Sequence, residues 1–481
     1  MSKRPNILFL MADQMQARVL EDDHVCDTPC LDRLAAEGIR FTRAYTPNNI
    51  CSPTRASIMT GLLPHNHGVL EVLYPQESHM HQLLPDKEHF ARRLSEVGYS
   101  TGYFGKWHVE GTNDLQRFGW QVDGGLLSKI HRDLVKGLGS DTQAQAKLDP
   151  AVHITEPAGY GPHPFCGVTN TAAEMRPMGL STTLALRYLE NAVKQEDPWC
   201  CFLSFQEPHD PYITERSVYE HYANIDIPPP PHADDPLTDR PGLYRRAQGI
   251  WKQLSEKDKR EARTCYFGSI TEVDTQFQRV VDFLERTGVL DDTIVISMSD
   301  HGDLLGAHGL FFKDISAFEE IFNVPFIVRG PGVSRGALCE GRVGLHDLCP
   351  TVLELAGCEP IEESDARSFV ELLDTPDQAG DKWRGGYAEY YGNRHRLTQK
   401  VVWDGAWKFV FNGFDFDELY NLEDDPLEMV NLAPDPEYRE QLVKMTQLFW
   451  QYARDTNDTP LVGTLYPALR LAEVGPLADE W

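Results

Sequence analysis

Continuous apolar runs alternate with stretches of helical periodicity along the first three quarters of the chain. The apolar runs are typical of strands buried on both faces, and they occupy residues 6–11, 39–45, 101–104, 199–205, 292–299 and 324–328. Apolar residues at helical spacing occupy residues 29–37, 87–97, 181–193, 257–287 and 347–356. This repeated order of strand and helix predicts an α/β fold with a large, mainly parallel sheet sandwiched by helices.

Two stretches interrupt the alternation. Residues 111–175 are rich in Gly, Pro and His and have weak periodicity. We interpret them as an insertion or a set of active-site loops. Residues 225–235 are rich in Pro and Asp, and we expect a surface excursion there.

The acidic stretch around residues 362–381 marks a domain boundary, which divides the chain into residues 1–375 and a C-terminal subdomain with its tail, residues 376–481. In the second part, residues 386–390, 400–402 and 407–410 predict short antiparallel strands, and a helix follows near residues 437–454. We therefore expect a smaller α+β subdomain that carries an antiparallel sheet. The last twenty or so residues predict an arm that packs on a partner subunit of a homo-oligomer.

Composition narrows the class of protein. A chain of 481 residues with 41% hydrophobic and 25% charged residues can bury a large core. The net charge of −28 and the lack of a basic run or zinc-finger spacing argue against nucleic-acid binding. No apolar stretch is long enough for a membrane span, and the first residues lead directly into a strand rather than a signal peptide. Ten cysteines in so long a chain do not indicate a disulfide framework, so we expect a cytoplasmic protein.

The segment Asn49-Ile50-Cys51-Ser52-Pro53-Thr54-Arg55-Ala56-Ser57 combines a cysteine with features of a helix start. Pro53 suits the first position of a helix, and Gly61 can end it. Cys51 would then lie at a helix N-terminus, where backbone N–H groups favour an anion, and Arg55 would place a cation one turn further along. A buried cysteine before an ordinary helix explains this segment equally well.

Polar residues follow four of the predicted strands, at the sheet edge where α/β proteins bind ligands. Asp13 and Asp300 offer hard oxygen ligands for a divalent cation, Gln14 an amide oxygen and His301 an imidazole nitrogen. The other strand ends carry Gly105-Lys106-Trp107-His108 and Glu207-Pro208-His209-Asp210-Pro211. Each residue alone could cap a turn, but the set favours a functional site.

Cys51, Pro53 and Arg55 match the Cys-x-Pro-x-Arg signature of the type I sulfatases, members of the alkaline phosphatase superfamily, and the chain resembles that family over almost its whole length. The resemblance implies that a formylglycine-generating enzyme oxidises Cys51 to formylglycine, an aldehyde that hydrates to a geminal diol. One hydroxyl would attack sulfur, and the second would later expel sulfate. The implied activity is hydrolysis of an organic sulfate monoester to an alcohol and inorganic sulfate, with residues 1–375 as the catalytic domain.

The resemblance also assigns roles to individual residues. Residue 51 would bind one divalent metal together with Asp13, Gln14, Asp300 and His301. Ca²⁺ is the expected ion, with Mn²⁺ or Mg²⁺ as alternatives. A second group would contact the sulfate or the formylglycine, and it comprises Arg55, Lys106, His108, His209 and Lys313.

Three positions depart from the common sulfatase pattern. Many members have a second aspartate where this chain has Gln14, and an asparagine where it has His301; the pair resembles the choline-sulfatase-like and phosphonate monoester hydrolase-like branches. Glu207 replaces a histidine that is often found two places before His209. Three alternatives therefore stay open for the substrate alcohol, namely choline, a sugar and an aryl alcohol. A phosphonate monoester or phosphodiester hydrolase and an inactive sulfatase-like binding protein are the competing functions.

Overall fold

The computed structural model describes residues 4–22, 24–72, 82–112, 114–138, 148–155, 163–313, 315–393 and 396–463. Its strands are β1 (Asn6–Asp13), β2 (Ile39–Phe41), β3 (Ala44–Tyr45), β4 (Ser100–Gly105), β5 (Val122–Gly125), β6 (Ala151–Ile154), β7 (His163–Thr169), β8 (Trp199–Pro208), β9 (Tyr212–Glu215), β10 (Thr293–Ser299), β11 (Phe326–Arg329), β12 (Ala337–Cys339), β13 (Val343–Gly344), β14 (Gly385–Tyr390), β15 (Gln399–Asp404), β16 (Trp407–Asn412) and β17 (Glu418–Asn421).

The α-helices alternate with these strands over most of the chain. They are α1 (Pro29–Glu37), α2 (Cys51–Thr60), α3 (Pro64–His67), α4 (Phe90–Glu96), α5 (Lys129–Leu138), α6 (Pro177–Ala192), α7 (Arg216–Ala223), α8 (Gly242–Trp251), α9 (Glu256–Arg286), α10 (Glu319–Phe322), α11 (Leu348–Leu355), α12 (Val370–Asp374), α13 (Arg439–Asp455) and α14 (Thr459–Val462). None of these described helices has the length and apolar character needed to cross a membrane.

The main sheet has eight strands in the order β12-β2-β11-β10-β1-β8-β4-β5. Neighbouring strands run parallel except where β11 pairs with β10 and with β2. Every residue of β1 is buried, and its side chains alternate between two apolar clusters: Leu8 and Leu10 belong to one, Ile7 and Phe9 to the other. That alternation is what a central strand covered on both faces requires. The predicted α/β class and sandwiched sheet are confirmed.

A separate four-stranded antiparallel sheet, β14-β15-β16-β17, packs against α13. It confirms the smaller sheet that the sequence predicts, and adds β17 to the three predicted strands. The boundary between residues 375 and 376 stays a prediction. The predicted C-terminal arm lies almost wholly outside the described residues.

Three local predictions need correction. Residues 111–175 hold more than loops: β5 is an edge strand of the main sheet, and β6 and β7 form a three-stranded sheet with β9. The β5 signal is weak because the strand ends in two glycines; a Cβ on Gly124 would lie 2.2 Å from the Phe104 ring. Residues 225–235 are not simply a surface excursion, since His232 and Asp235 are buried. Residues 39–45 also form two short strands rather than one.

Candidate active site

The carboxyl ends of four parallel strands meet at one edge of the main sheet and deliver the polar residues that the sequence singles out. β1 ends at Asp13, β8 at Pro208 just before His209, and β10 just before Asp300. β4 ends at Gly105, which has a φ of +98° and no room for a side chain, because a Cβ would lie 1.9 Å from the Ser204 carbonyl oxygen. Glycine permits both the positive φ, which turns the chain, and the close approach to Ser204. Lys106 follows at the same edge of the sheet.

Cys51 is the first residue of α2, which confirms its predicted position at a helix N-terminus. Its side chain is almost fully buried. The helix begins two residues earlier than Pro53 suggests, and it ends at Gly61 in the left-handed conformation. The Cys51 Sγ atom lies 3.2 Å from His301 Nε2 and 3.2 Å from Lys313 Nζ. The cysteine is therefore at the centre of the predicted residues rather than in an apolar core.

The charges around Cys51 favour its ionised form. Burial alone would raise the pKa of the thiol, but Lys106, Lys313 and His301 outweigh burial and hold it well below its usual range. A hydrogen bond with His108 acts in the same direction. This environment stabilises negative charge at the side chain of residue 51.

Arg55 is fully buried on the next turn of α2 and contacts the two carboxylates of the site. Its Nε donates to Asp300 Oδ2 at 2.8 Å, and one terminal nitrogen donates to Asp13 Oδ2 at 3.0 Å. The other terminal nitrogen donates to the Lys106 carbonyl and to Ser204 Oγ, both at 2.8 Å. Arg55 thus positions Asp13 and Asp300, while its predicted contact with sulfate stays a prediction.

The residues predicted to hold a metal fit a divalent cation. Ligand atoms of Asp13, Cys51, Asp300 and His301 all lie within 4.8 Å of one another. Arg55 donates to Oδ2 of each aspartate. Asp13 Oδ1 faces the Cys51 thiol at 3.7 Å, and Asp300 Oδ1 accepts the Gln14 and His301 backbone N–H groups at 3.2 and 3.0 Å. The His301 Nδ1 faces the Gly302 carbonyl at 2.9 Å, which directs Nε2 towards Cys51. Two carboxylate oxygens with one imidazole suit Ca²⁺, Mg²⁺ or Mn²⁺.

Gln14 completes this group. Its backbone adopts a φ of +70°, unusual for a residue other than glycine. The Lys313 ammonium donates to its Oε1 at 3.2 Å and lies 3.3 Å from His301 Nε2. A positive charge therefore already contacts three of the predicted ligands, Gln14, Cys51 and His301, which supports the fit of this donor set to a cation.

The predicted sulfate-contacting residues, apart from Arg55, surround residue 51. The Lys106 ammonium donates to Asp13 Oδ2, and the Lys313 ammonium lies 2.7 Å from His209 Nε2. His108 is held at a φ of +51°. Burial and the charge of Lys106 lower its pKa to about 4, so its imidazole is neutral near neutral pH.

Three further residues lie near the site. The sequence predicts no role for Ser204 or Asp303, and it marks Glu207 only as a departure from the sulfatase pattern. Ser204 on β8 bonds Arg55, and Asp303 accepts a hydrogen bond from the Gln14 amide at 2.6 Å. Asp303 stands three places after Asp300, in the same polar run, and that position is the only sequence signal. Glu207 has an Oε2 atom with no hydrogen-bond partner among the described residues, and burial raises its pKa.

The chain is similar to known proteins over most of its length. Residues 5–358 match the model of the family described as Sulfatase, and residues 306–455 match the model described as N-sulphoglucosamine sulphohydrolase, C-terminal. It is 30% identical to the choline-sulfatase of Rhizobium meliloti (strain 1021) over 450 residues, which cover 90% of this chain and 83% of that protein. It is 28% identical to the arylsulfatase of Clostridium perfringens (strain 13 / Type A), covering 91% of this chain and 92% of that protein.

The fold is also similar to solved structures. The phosphonate monoester hydrolase of Agrobacterium radiobacter superposes with a TM-score of 0.78 at 23% identity, covering 94% of this chain and 96% of that one.

Proposed function

The chain belongs to the sulfatase family of the alkaline phosphatase superfamily, and we propose that it hydrolyses an organic sulfate monoester with a formylglycine made from Cys51 and one divalent metal. The observation that carries the proposal is the placement of Cys51. Its side chain lies at the N-terminus of α2, 3.2 Å from both His301 Nε2 and Lys313 Nζ. A nucleophile and cationic groups thus meet at one point, as sulfate-ester hydrolysis requires.

The protein's own residues would act where negative charge develops. Lys313 and Lys106 provide ammonium groups beside residue 51 and Asp13. Their charges would stabilise the sulfuryl oxygens and the departing alcohol oxygen. His108 is neutral because of its low pKa, so it can accept a proton from a hydroxyl at residue 51.

A divalent cation and the modified residue 51 would supply the remaining chemistry. The divalent cation, held by Asp13, Gln14, Asp300, His301 and residue 51, would polarise a sulfate oxygen and favour an ionised hydroxyl. The formylglycine hydrate would offer two hydroxyls, one to attack sulfur and one to release sulfate. We propose Ca²⁺ as the ion, with Mn²⁺ or Mg²⁺ as alternatives, since the nitrogen ligand of His301 makes the site less strictly a calcium site.

The choice of substrates to test rests on the relatives and on two of the proposed metal ligands, Gln14 and His301. The choline-sulfatase and arylsulfatase relatives make choline sulfate and aryl sulfates the first substrates to test, with a sulfated sugar as a third. A phosphonate monoester is the second candidate, because Gln14 and His301 resemble that branch. The Lys106-x-His108 pair favours the sulfate ester.

The test compares kcat/KM on an aryl sulfate, choline sulfate, a sulfated sugar and an aryl phosphonate monoester. The protein is co-expressed with a formylglycine-generating enzyme, and Cys51→Ala serves as the inactive control. We expect one of the sulfates to be the best substrate. A higher kcat/KM on the phosphonate would replace the sulfatase proposal, and no turnover on any ester would support the inactive binding protein.

The cytoplasmic location, the partner enzyme that matures Cys51 and the homo-oligomer stay predictions. Size-exclusion chromatography with light scattering would test the last of these.

A further inference from the structure

The Gln14 side chain is enclosed by acidic groups that the sulfatase chemistry does not use. Its Nε2 donates to Asp303 Oδ2 at 2.6 Å and to Asp210 Oδ1 at 3.2 Å. Both acceptors are carboxylates, and a carboxylate can only accept while it is ionised. The NH₂ end of the amide therefore faces Asp303 and Asp210, and the carbonyl oxygen faces the other way.

The carbonyl end points into the predicted metal site. Gln14 Oε1 lies 3.2 Å from the Lys313 ammonium, which also contacts Cys51 Sγ and His301 Nε2. Rotating the amide by half a turn would place its oxygen against two carboxylates and its NH₂ group against the ammonium. Both contacts would then be repulsive, so the surroundings permit one orientation of the amide.

Asp303 is itself held in place. Its Oδ2 accepts a second hydrogen bond from the Tyr212 hydroxyl at 2.6 Å, and its Oδ1 accepts from the Leu305 backbone N–H at 2.7 Å. The side chain is fully buried. The carboxylate therefore cannot turn away from Gln14 without breaking three hydrogen bonds in a region from which water is excluded.

We propose that Asp303 is a positioning residue that fixes the Gln14 amide with its oxygen towards the metal and so makes Gln14 a competent ligand. Such outer residues typically change metal affinity about 10- to 100-fold when they are replaced. The inference rests on the proposed metal site. It also gives a reason for glutamine at position 14, because a carboxylate there would face Asp303 and Asp210 with like charge.

The experiment measures Mn²⁺ binding by electron paramagnetic resonance of the free ion, on full-length protein first freed of metal. Four proteins are compared: wild type, Asp303→Asn, Gln14→Leu and the double variant. Asparagine keeps the size of Asp303 but can present an NH₂ group, so the shorter of the two hydrogen bonds that orient the Gln14 amide is lost and only the bond to Asp210 at 3.2 Å remains. We expect Asp303→Asn and Gln14→Leu each to weaken Mn²⁺ binding about 10-fold or more, and the double variant to bind no more weakly than Gln14→Leu alone.

Asp274→Asn is the matched control. Asp274 is another buried aspartate, and it accepts the Cys30 and Leu31 backbone N–H groups, both at 2.9 Å, rather than bonding Gln14. Its replacement is expected to leave Mn²⁺ affinity unchanged. Additive losses in the double variant, or wild-type affinity in Asp303→Asn, would overturn the inference while leaving the metal site intact. If wild type binds no Mn²⁺, and calorimetric titration detects no binding of Ca²⁺ or Mg²⁺ either, the proposed function is contradicted instead.

Discussion

His65 on α3 links the chain just after α2 to β14 of the C-terminal sheet through a charge that depends on pH. Its Nδ1 faces Glu389 Oε1 at 2.7 Å, and its Nε2 faces the Thr456 carbonyl at 2.8 Å. Each ring nitrogen faces an acceptor, so both can form hydrogen bonds only when each nitrogen carries a hydrogen, as in the imidazolium form. Burial opposes that charge, but Glu389 and the Thr456 carbonyl outweigh it and raise the pKa of His65 from 6.5 to about 9.

The stability change follows from this difference in pKa. Because the folded protein holds the proton more tightly, His65 stabilises it fully below about pH 6.5, and the contribution is lost as pH rises through about 9. At about 1.4 kcal/mol per pH unit, the difference amounts to about 3 kcal/mol. We expect His65→Gln to lower the free energy of unfolding by about this amount at about pH 6 and by little at about pH 10.

Urea unfolding followed by tryptophan fluorescence measures the difference between wild type and variant at each pH. His67→Gln is the control, because burial lowers the pKa of His67 to about 3. Its stability difference from wild type should shrink only as pH falls below about 6.5. A wild-type advantage over His65→Gln that is the same at both ends of the pH range would refute the reasoning.

Three further outcomes concern the site. Cys51→Ser has no second hydroxyl, so it should retain sulfate on the serine, seen as a mass increase, and turn over very slowly; steady-state turnover equal to wild type would rule out the mechanism. Lys106→Met should lower kcat/KM about 10²- to 10³-fold without altering the circular dichroism spectrum; an unchanged kcat/KM would remove Lys106 from the chemistry. Arg55→Ala leaves Asp13 and Asp300 without their shared counter-ion, so urea unfolding should show a loss of about 3–5 kcal/mol. A loss below about 1 kcal/mol would show that Arg55 does not stabilise the pair.

Much of the fold was predictable because its strongest signals are local. β1, β8 and β10 are continuous apolar runs, and α9 has a long helical period, so each is found within a few residues. β5 was missed because it ends in two glycines, and the packing of Gly124 against the Phe104 ring is a contact between residues 20 positions apart.

Part of the candidate site was predictable from the sequence, and part was not. Strand ends and a specific motif pointed to Asp13, Cys51 and Asp300, which the structure brings together. Asp303 was not predictable as a partner of Gln14, because their hydrogen bond joins residues 289 positions apart and depends on which way an amide faces. The pairing of His65 with Glu389 was equally out of reach, because it joins residues 324 positions apart.

The central claim is that residue 51 acts as an aldehyde made from cysteine. The most direct measurement plots sulfate release per mole of protein against the aldehyde fraction at residue 51, determined by mass spectrometry of the tryptic peptide that spans residues 44–55. Preparations made with different amounts of the formylglycine-generating enzyme supply the range. The account predicts a straight line through the origin. Sulfate release at the same rate from protein that carries only cysteine at residue 51 would contradict it.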